Sequence, residues 1–327
     1  MAGLIGAKIL RSAVSVGRDD PIQTAAPLEA CDFSAIAFWD GDRNRFGSGP
    51  PPEGVVLCAP DDVDEVPSAA RAVLGAPQPK AAFARAITVL HQPRPLGAGP
   101  FVSPLAQLED GVRLEPGAVI GADAEIGADT VIGAGAIVGP GVAIGRGCRI
   151  GANASLACAL LGDRVVIGPG AVIGANGFHI AASDAGQVAL EHLGRVVIQD
   201  DTTIGANSCI DRGLFGDTEI GERVHIDNLC QVGHNSQIGA GAILAGAVGV
   251  SGSCRIGPGA RLAGGAGLAD HAEVGAGAEV GARAVVVKAV PPGETWMGAP
   301  ARPKARHFRE LAVLAALARR VPGRKTS

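Results

Sequence analysis

The sequence has no tyrosine, and it holds only eight phenylalanines and two tryptophans in 327 residues. Its net charge is −4 and its pI near 6.0. A chain without a basic excess and nearly without aromatic rings lacks what single-stranded or duplex nucleic acid requires, so nucleic acid is excluded as a partner. The seven cysteines (Cys31, Cys58, Cys148, Cys158, Cys209, Cys230, Cys254) are odd in number and show no CxxC or metal-type spacing. They read as small buried residues of a reducing compartment, not as a disulfide framework. No stretch of about twenty apolar residues occurs, so no integral membrane segment is expected. The N-terminal MAGLIGAKILRSAVSV lacks a long apolar core or a processing site. These absences point to a soluble, cytoplasmic protein. Also missing are a Gly-x-Ser-x-Gly elbow, a P-loop and a dinucleotide fingerprint on a strand-turn-helix.

What is abundant is glycine, 49 residues, and it comes with a period. From about residue 102 to 286, Val, Ile or Leu recurs at nearly every sixth position. One register carries Ile220, Ile226, Val232, Ile238, Leu244, Val250, Ile256, Leu262, Leu268, Val274, Val280 and Val286; an earlier one runs from Val102 to Leu156. Six fits neither the helical period nor strand alternation. It is the signature of a left-handed parallel β-helix of hexapeptides, in which three hexads make a triangular coil of about eighteen residues and coils stack about 4.8 Å apart. The aliphatic side chains point inward. Glycine following them is expected to serve the sharp turn between faces.

Residues 1–100 lack the period and form a separate small α/β cap. Short strands are predicted at Ala35–Trp39, Gly54–Ala59 and Ile87–Leu90, and a helix at 63–76, ended by Gly75. Such a cap would cover the open first coil. The β-helix occupies 101–290, and 291–327 form a basic helical extension with Phe308, Leu311, Leu314, Ala315 and Leu317 at helical spacing. From Arg302 onward eight Lys or Arg meet one acidic residue, net +7, which leaves −11 (−4 minus +7) on the rest. This tail is either a solvated helix face or a docking surface for an acidic partner.

The hexad register breaks at three places, where function is usually added to a solenoid. One residue is missing between Leu156 and Leu161. Between Ile173 and Ile198 lies GANGFHIAASDAGQVALEHLGRVV, read as a projecting loop, and between Ile210 and Ile220 DRGLFGDTE adds four residues. Of seven histidines, His234 lies two residues after inward Val232 and so on an outer face. His271 follows 37 residues later, two coils and one residue on. Two such imidazoles about 10 Å apart could serve as general base and substrate-orienting donor, or be unrelated surface residues. His225, His234 and His271 are the natural candidates for zinc. His225 directly precedes inward Ile226 on another part of the coil, so the three converge only across a subunit interface, and no metal site is expected.

GANGFHIA at 174–181, GRVVIQDDTTIGANSCIDRG at 194–213, HIDNLCQVGHNSQIG at 225–239, GGAGLADH ending at His271 and MGAP at 297–300 resemble the hexapeptide-repeat acyltransferases. Over about residues 100–320 the chain closely resembles the UDP-3-O-(3-hydroxyacyl)glucosamine N-acyltransferases of lipid A synthesis. The resemblance implies a homotrimer with sites in the clefts between prisms and no permanently bound cofactor, the acyl group arriving on the 4′-phosphopantetheine of acyl carrier protein. It implies His234 as general base on the sugar 2-amine, Asp227 orienting or polarising its imidazole, and the Gly252 N–H stabilising the oxyanion. His271 would bind substrate phosphate or sugar, and Asn176, Gly177 and Phe178 would line the acyl and pantetheine region. The basic tail would meet the acidic carrier protein. The cap departs from the family pattern: a Lys-Tyr ending of the uracil motif cannot exist here, and AIAFWDGDRNRFGSG offers Phe38 or Trp39 as a stacking face for the UDP-acylglucosamine substrate. Val285 and its neighbours are candidates for the stop that sets acyl length. Alternatives are a paralogue acting on another nucleotide sugar with acyl carrier protein or acetyl-CoA as donor, an O-acyltransferase, a catalytically silent paralogue and a zinc hydratase.

Overall fold

The computed structural model describes residues 7–12, 21–42, 50–92, 94–96, 101–184, 186–298 and 303–320. From residue 101 the hexads form short strands, most of two residues, in which typically one residue faces out and its successor is buried, as in Glu125–Ile126. The strands assemble into three parallel sheets of ten, nine and ten strands, the faces of a β-helix. Val131 pairs with Arg149 and Ile132 with Ile150, so one coil takes eighteen residues and the interior fills with ladders such as Ile132, Ile150 and Ile167.

The glycine after each aliphatic has a different cause from the one expected. The left-handed corner lies two residues further on, at Asp123 (φ +58°) or Asn207 (φ +54°), and there even Leu229 (φ +59°) and Ala247 (φ +60°) are accepted. The glycine is needed for close stacking, since a Cβ on Gly121 would lie 2.6 Å from the Pro140 nitrogen of the next coil. All seven cysteines are free, five of them buried.

In the cap, β1 (Lys8–Ser12), β2 (Thr24–Ala25), β3 (Ala35–Phe38), β4 (Val55–Cys58) and β5 (Ala72–Gly75) form one sheet of order β1-β5-β4-β3-β2. Only the β1–β5 pairing is antiparallel. Helix α1 (Pro79–Leu90) buries Ala81, Ala82, Phe83, Ala84, Ala86 and Ile87. Two local expectations are corrected. Ile87–Leu90 is the last turn of α1, because the helix formers of PKAAFARAI start a helix at Pro79 that runs through it. The segment 63–76 is not a helix: a 3₁₀ turn (Pro60–Glu65) stops before Pro67, and β5 follows, its Val73 and Leu74 buried between neighbouring strands.

The three breaks are visible as register. Ile144 pairs with Leu161, seventeen residues on, while Ile167 pairs with Ile204 and Ile204 with Ile226 across the two insertions. The longer insertion contains an antiparallel hairpin, Ile180–Ser183 with Gly186–Ala189. Hairpin and bulge form the seat of the cap: Ala181, Leu190, Leu214 and Phe215 pack in one cluster with α1. The rings of Phe38 and Phe83 are 5.1 Å apart and those of Phe83 and Phe215 5.8 Å. The cap therefore docks on the side of the prism, and the first coil, which it was expected to cover, keeps Phe101 and Leu105 exposed. Helix α2 (Lys304–Arg320) follows the coils with Phe308, Leu311, Leu314 and Leu317 exposed.

Buried hydroxyls tie successive corners together. Ser208 Oγ donates to the Asp227 carbonyl (2.8 Å) and accepts from the Cys230 N–H (3.0 Å). Ser208→Ala leaves both backbone groups unpartnered in the interior and should cost about 1–3 kcal/mol, read as a lowered midpoint in urea; an unchanged midpoint would contradict this role.

Candidate active site

A cavity of about 1400 Å³ lies between the cap and one face of the prism. On that face the outward residues Gln231, Gly249, Gly267 and Val285 stand in register on consecutive coils. Two glycines thus form a strip with no side chains, closed at one end by Val285, which is 71% exposed.

The eighteen-residue coil also stacks the corner of this face. His234, Gly252 and Asp270 occupy one corner position in three consecutive coils, and Asn235, Ser253 and His271 occupy the next, all three left-handed (φ +59°, +56°, +58°). His234 and His271 therefore line the same cavity. The imidazole edge of His234 lies over the backbone of Gly252, where an added Cβ would come within 2.7 Å of both Cε1 and Nε2. At some other corners of the prism the N–H at this position is capped by a side chain, as Ala134 N–H is by Glu115 Oε2 (2.9 Å). The position equivalent to Glu115 is here Gly233, and the Gly252 N–H has no acceptor among the described residues. A free donor beside an imidazole is what acyl transfer needs for a developing oxyanion.

Two further imidazoles close in on His234. The ring centroids of His179 and His192 lie 5.6 and 5.2 Å from that of His234, and 6.3 Å from each other. Burial pushes His179 down to about 4, helped by the Lys80 ammonium and His234. Burial and His234 do the same to His192, to about 4, although its Nδ1 lies 3.1 Å from the Leu190 carbonyl. Both rings are therefore neutral near pH 7. Burial also raises the Asp211 carboxyl, which accepts from Gln231 Nε2 at 2.8 Å and faces the same cavity.

Of the residues predicted from sequence, His234, Gly252, His271, Asn176, Gly177, Phe178 and Phe38 line this cavity. Asn176 is engaged within its own loop, its amide bonded to Glu191, and Gly177 allows the loop to approach, since a Cβ there would sit 3.0 Å from both His192 and His234. Phe178 is exposed at the cavity wall. Trp39 is a correction. Alternation along β3 turns it to the opposite side of the sheet from Phe38, into the cap core at 1% exposure, with Nε1 donating to the Asp42 carbonyl (3.0 Å).

Asp227 is a second correction. Seven residues is one hexad and one residue, a third of a turn round the prism; its Oδ1 accepts from the Asn228 N–H (2.7 Å), and the chain does not bring it to His234. His225 points outward from a different face, and no cluster of three His, Cys, Asp or Glu able to hold a metal ion occurs among the described residues. Sequence reasoning missed His179, His192 and Asp211. The signal for the first two was IAASDAGQVA, two short alternating runs about a glycine turn, which folds back and brings 179 beside 190–192.

A β-helix of hexads with an imidazole and a free backbone donor on one corner defines a hexapeptide-repeat transferase. A family model described as bacterial transferase hexapeptide (six repeats) matches residues 123–158, and one described as hexapeptide repeat of succinyl-transferase matches 195–228. The UDP-3-O-acylglucosamine N-acyltransferase of Caulobacter vibrioides is 53% identical over 298 residues, 91% of this chain and 88% of that protein. The protein of the same name from Maricaulis maris is 48% identical over 328 residues, 100% of this chain and 94% of its own length. The chain belongs to the UDP-3-O-acylglucosamine N-acyltransferase family. Among solved structures, UDP-N-acetylglucosamine acyltransferase from Campylobacter jejuni is 20% identical with a TM-score of 0.48, covering 68% of this chain and 86% of its own.

The histidine cluster sets a pH dependence. His179 and His192 bind protons near pH 6.5 when unfolded but only near 4 when folded, so between those values unfolding takes up protons and stability falls as pH is lowered. Denaturation midpoints from pH 7 to 4 should fall more steeply for the wild type than for the His179→Gln/His192→Gln variant. Equal slopes would contradict it.

Proposed function

We propose that this protein transfers a 3-hydroxyacyl chain from acyl carrier protein to the 2-amine of UDP-3-O-acylglucosamine, a step of lipid A biosynthesis. The observation that carries this reading is the corner stack of His234 over Gly252 beside a glycine strip, in a chain of this family. The neutral amine attacks the thioester carbonyl carbon, forming the C–N bond as the carbonyl electrons move onto oxygen. The Gly252 N–H receives that oxyanion. His234 Nε2 takes the proton released by nitrogen; collapse then breaks the C–S bond, and the same proton passes to the departing thiolate. The products are an amide and the free thiol of the phosphopantetheine, with no permanently bound cofactor involved.

His271, 74% exposed and 3.6 Å from Asp270, is suited to substrate phosphate or sugar. Phe38 and Lys80 form the cap side of the cavity, where the nucleotide would lie, with Phe38 the stacking face once Trp39 is taken into the core. The acyl chain would run along Gly249 and Gly267 and end at Val285. Asp227 is left for a role between subunits in a homotrimer, a state supported by the exposed apolar face of α2. The net +7 of the tail, with Arg306 and Arg309 exposed on α2, suits an acidic carrier protein. No described helix is long and apolar enough to cross a membrane, which accords with a cytoplasmic site of action.

The test is a transfer assay with acyl carrier proteins carrying 3-hydroxyacyl chains of several lengths. His234→Ala should lower turnover by about 10² to 10⁴, and a loss below about tenfold would remove His234 as base. Preference for acetyl-CoA over acyl carrier protein would point to the other donor class. Val285→Gly should shift preference toward chains longer by about two to four carbons, since one coil spacing is about 4.8 Å; an unchanged preference would place the stop elsewhere.

A further inference from the structure

We infer that Asn235 is the positioning residue of His234, its amide oxygen holding the imidazole in the Nδ1–H tautomer so that Nε2 faces Gly252 with a free lone pair. The argument rests on the reading of His234 as base. It starts from backbone groups whose roles are not open to choice. The Leu214 N–H, which can only donate, meets Asn235 Oδ1 at 2.9 Å, and the Gly216 carbonyl, which can only accept, meets Nδ2 at 3.3 Å. Turning the amide over would set donor against donor and acceptor against acceptor, so its orientation is fixed. Oδ1 also lies 3.1 Å from His234 Nδ1. An acceptor there requires Nδ1 to carry the proton, and a neutral imidazole has only one.

The frame that fixes the amide is the four-residue bulge. It supplies Leu214 and Gly216, and Thr218 at its end accepts the Asn235 N–H at 2.8 Å. Asn235 has φ +59°, a conformation that asparagine tolerates better than most residues. Ser253 and His271 take the same corner position in the next coils without such a bulge beside them. The insertion at 211–217 therefore has two tasks, seating the cap through Phe215 and orienting the base through Asn235. Asp227, the orienter that the family resemblance implies, is occupied at another corner.

Two variants separate positioning from folding. Asn235→Gly keeps the left-handed backbone and removes the acceptor; Asn235→Asp keeps an acceptor for Nδ1 and Leu214 but exchanges the bond to Gly216 for an acceptor facing an acceptor. The first readout is ¹⁵N NMR of histidine-labelled protein above pH 7.5, assigned with His234→Ala. Wild type should show Nδ1 protonated and Nε2 bare, and Asn235→Gly should shift His234 toward the Nε2–H form. In the transfer assay Asn235→Gly should lower kcat by about 10- to 100-fold with KM little changed, less than loss of the base itself. Asn235→Asp should retain kcat within about fivefold and move the acidic limb of the pH profile upward, because a carboxylate stabilises the imidazolium. The other charges and rings near His234 are Asp211, Asp270, Lys80, His179, His192 and His271, unchanged in both variants. A His234 that keeps Nδ1–H in Asn235→Gly, or a kcat within twofold of wild type, would overturn the inference. An active His234→Ala would sink the base reading instead and leave the tautomer result standing.

Discussion

The parallel backbone ladder between coils is the constraint on which the rest depends. Each strand bonds to the strand one coil away, Val131 N–H to the Cys148 carbonyl at 2.9 Å for example, and this repeats along three faces. A position in the sequence thereby becomes a position on a lattice: residues eighteen apart stand above one another about 4.8 Å apart. His234, Gly252 and Asp270 form a column because of that spacing alone, as do Gly249, Gly267 and Val285. The interior needs only aliphatic volume, so the outward residue of each hexad and the corner residues are free to carry chemistry.

Against that lattice the insertions do what a regular coil cannot. A regular coil exposes its corner imidazole to solvent on one side. The hairpin at 180–189 brings His179 and His192 against His234, and the bulge at 211–217 fixes Asn235, while both present apolar side chains to α1. The cap is held on the flank by the same segments that enclose His234. Its Gln78 amide and the backbone N–H of Asp184 at the hairpin tip are hydrogen-bonded.

Much of this is legible in the sequence. The hexad gave the β-helix, because burial in a solenoid repeats so strictly that no other element mimics it. The positions of the three breaks followed from counting, and the 37-residue interval between His234 and His271 put both near one face, where they line the same cavity. The cap was less legible. Its strands are set by pairing among distant segments, so Val73 and Leu74 look helical in isolation and Ile87 looks extended. Trp39 and Phe38 are adjacent in sequence and differ only in which face of β3 they take, and pairing decides that. The orienting role of Asp227 came from the family resemblance alone; the spacing itself puts it on the neighbouring face, because seven residues, unlike eighteen or nineteen, turn the corner of a triangle. The hairpin histidines were hidden because a segment outside the repeat obeys no lattice.

The central claim is that acyl transfer happens over the His234–Gly252 corner. The most direct measurement is a crystal structure of the wild-type protein with its N-acylated product. The account predicts the new amide nitrogen within about 3 Å of His234 Nε2, its carbonyl oxygen at a similar distance from the Gly252 N–H, and the acyl chain along Gly249 and Gly267 toward Val285. An amide bound away from this corner, with the His234 ring and the Gly252 N–H turned to water, would contradict it.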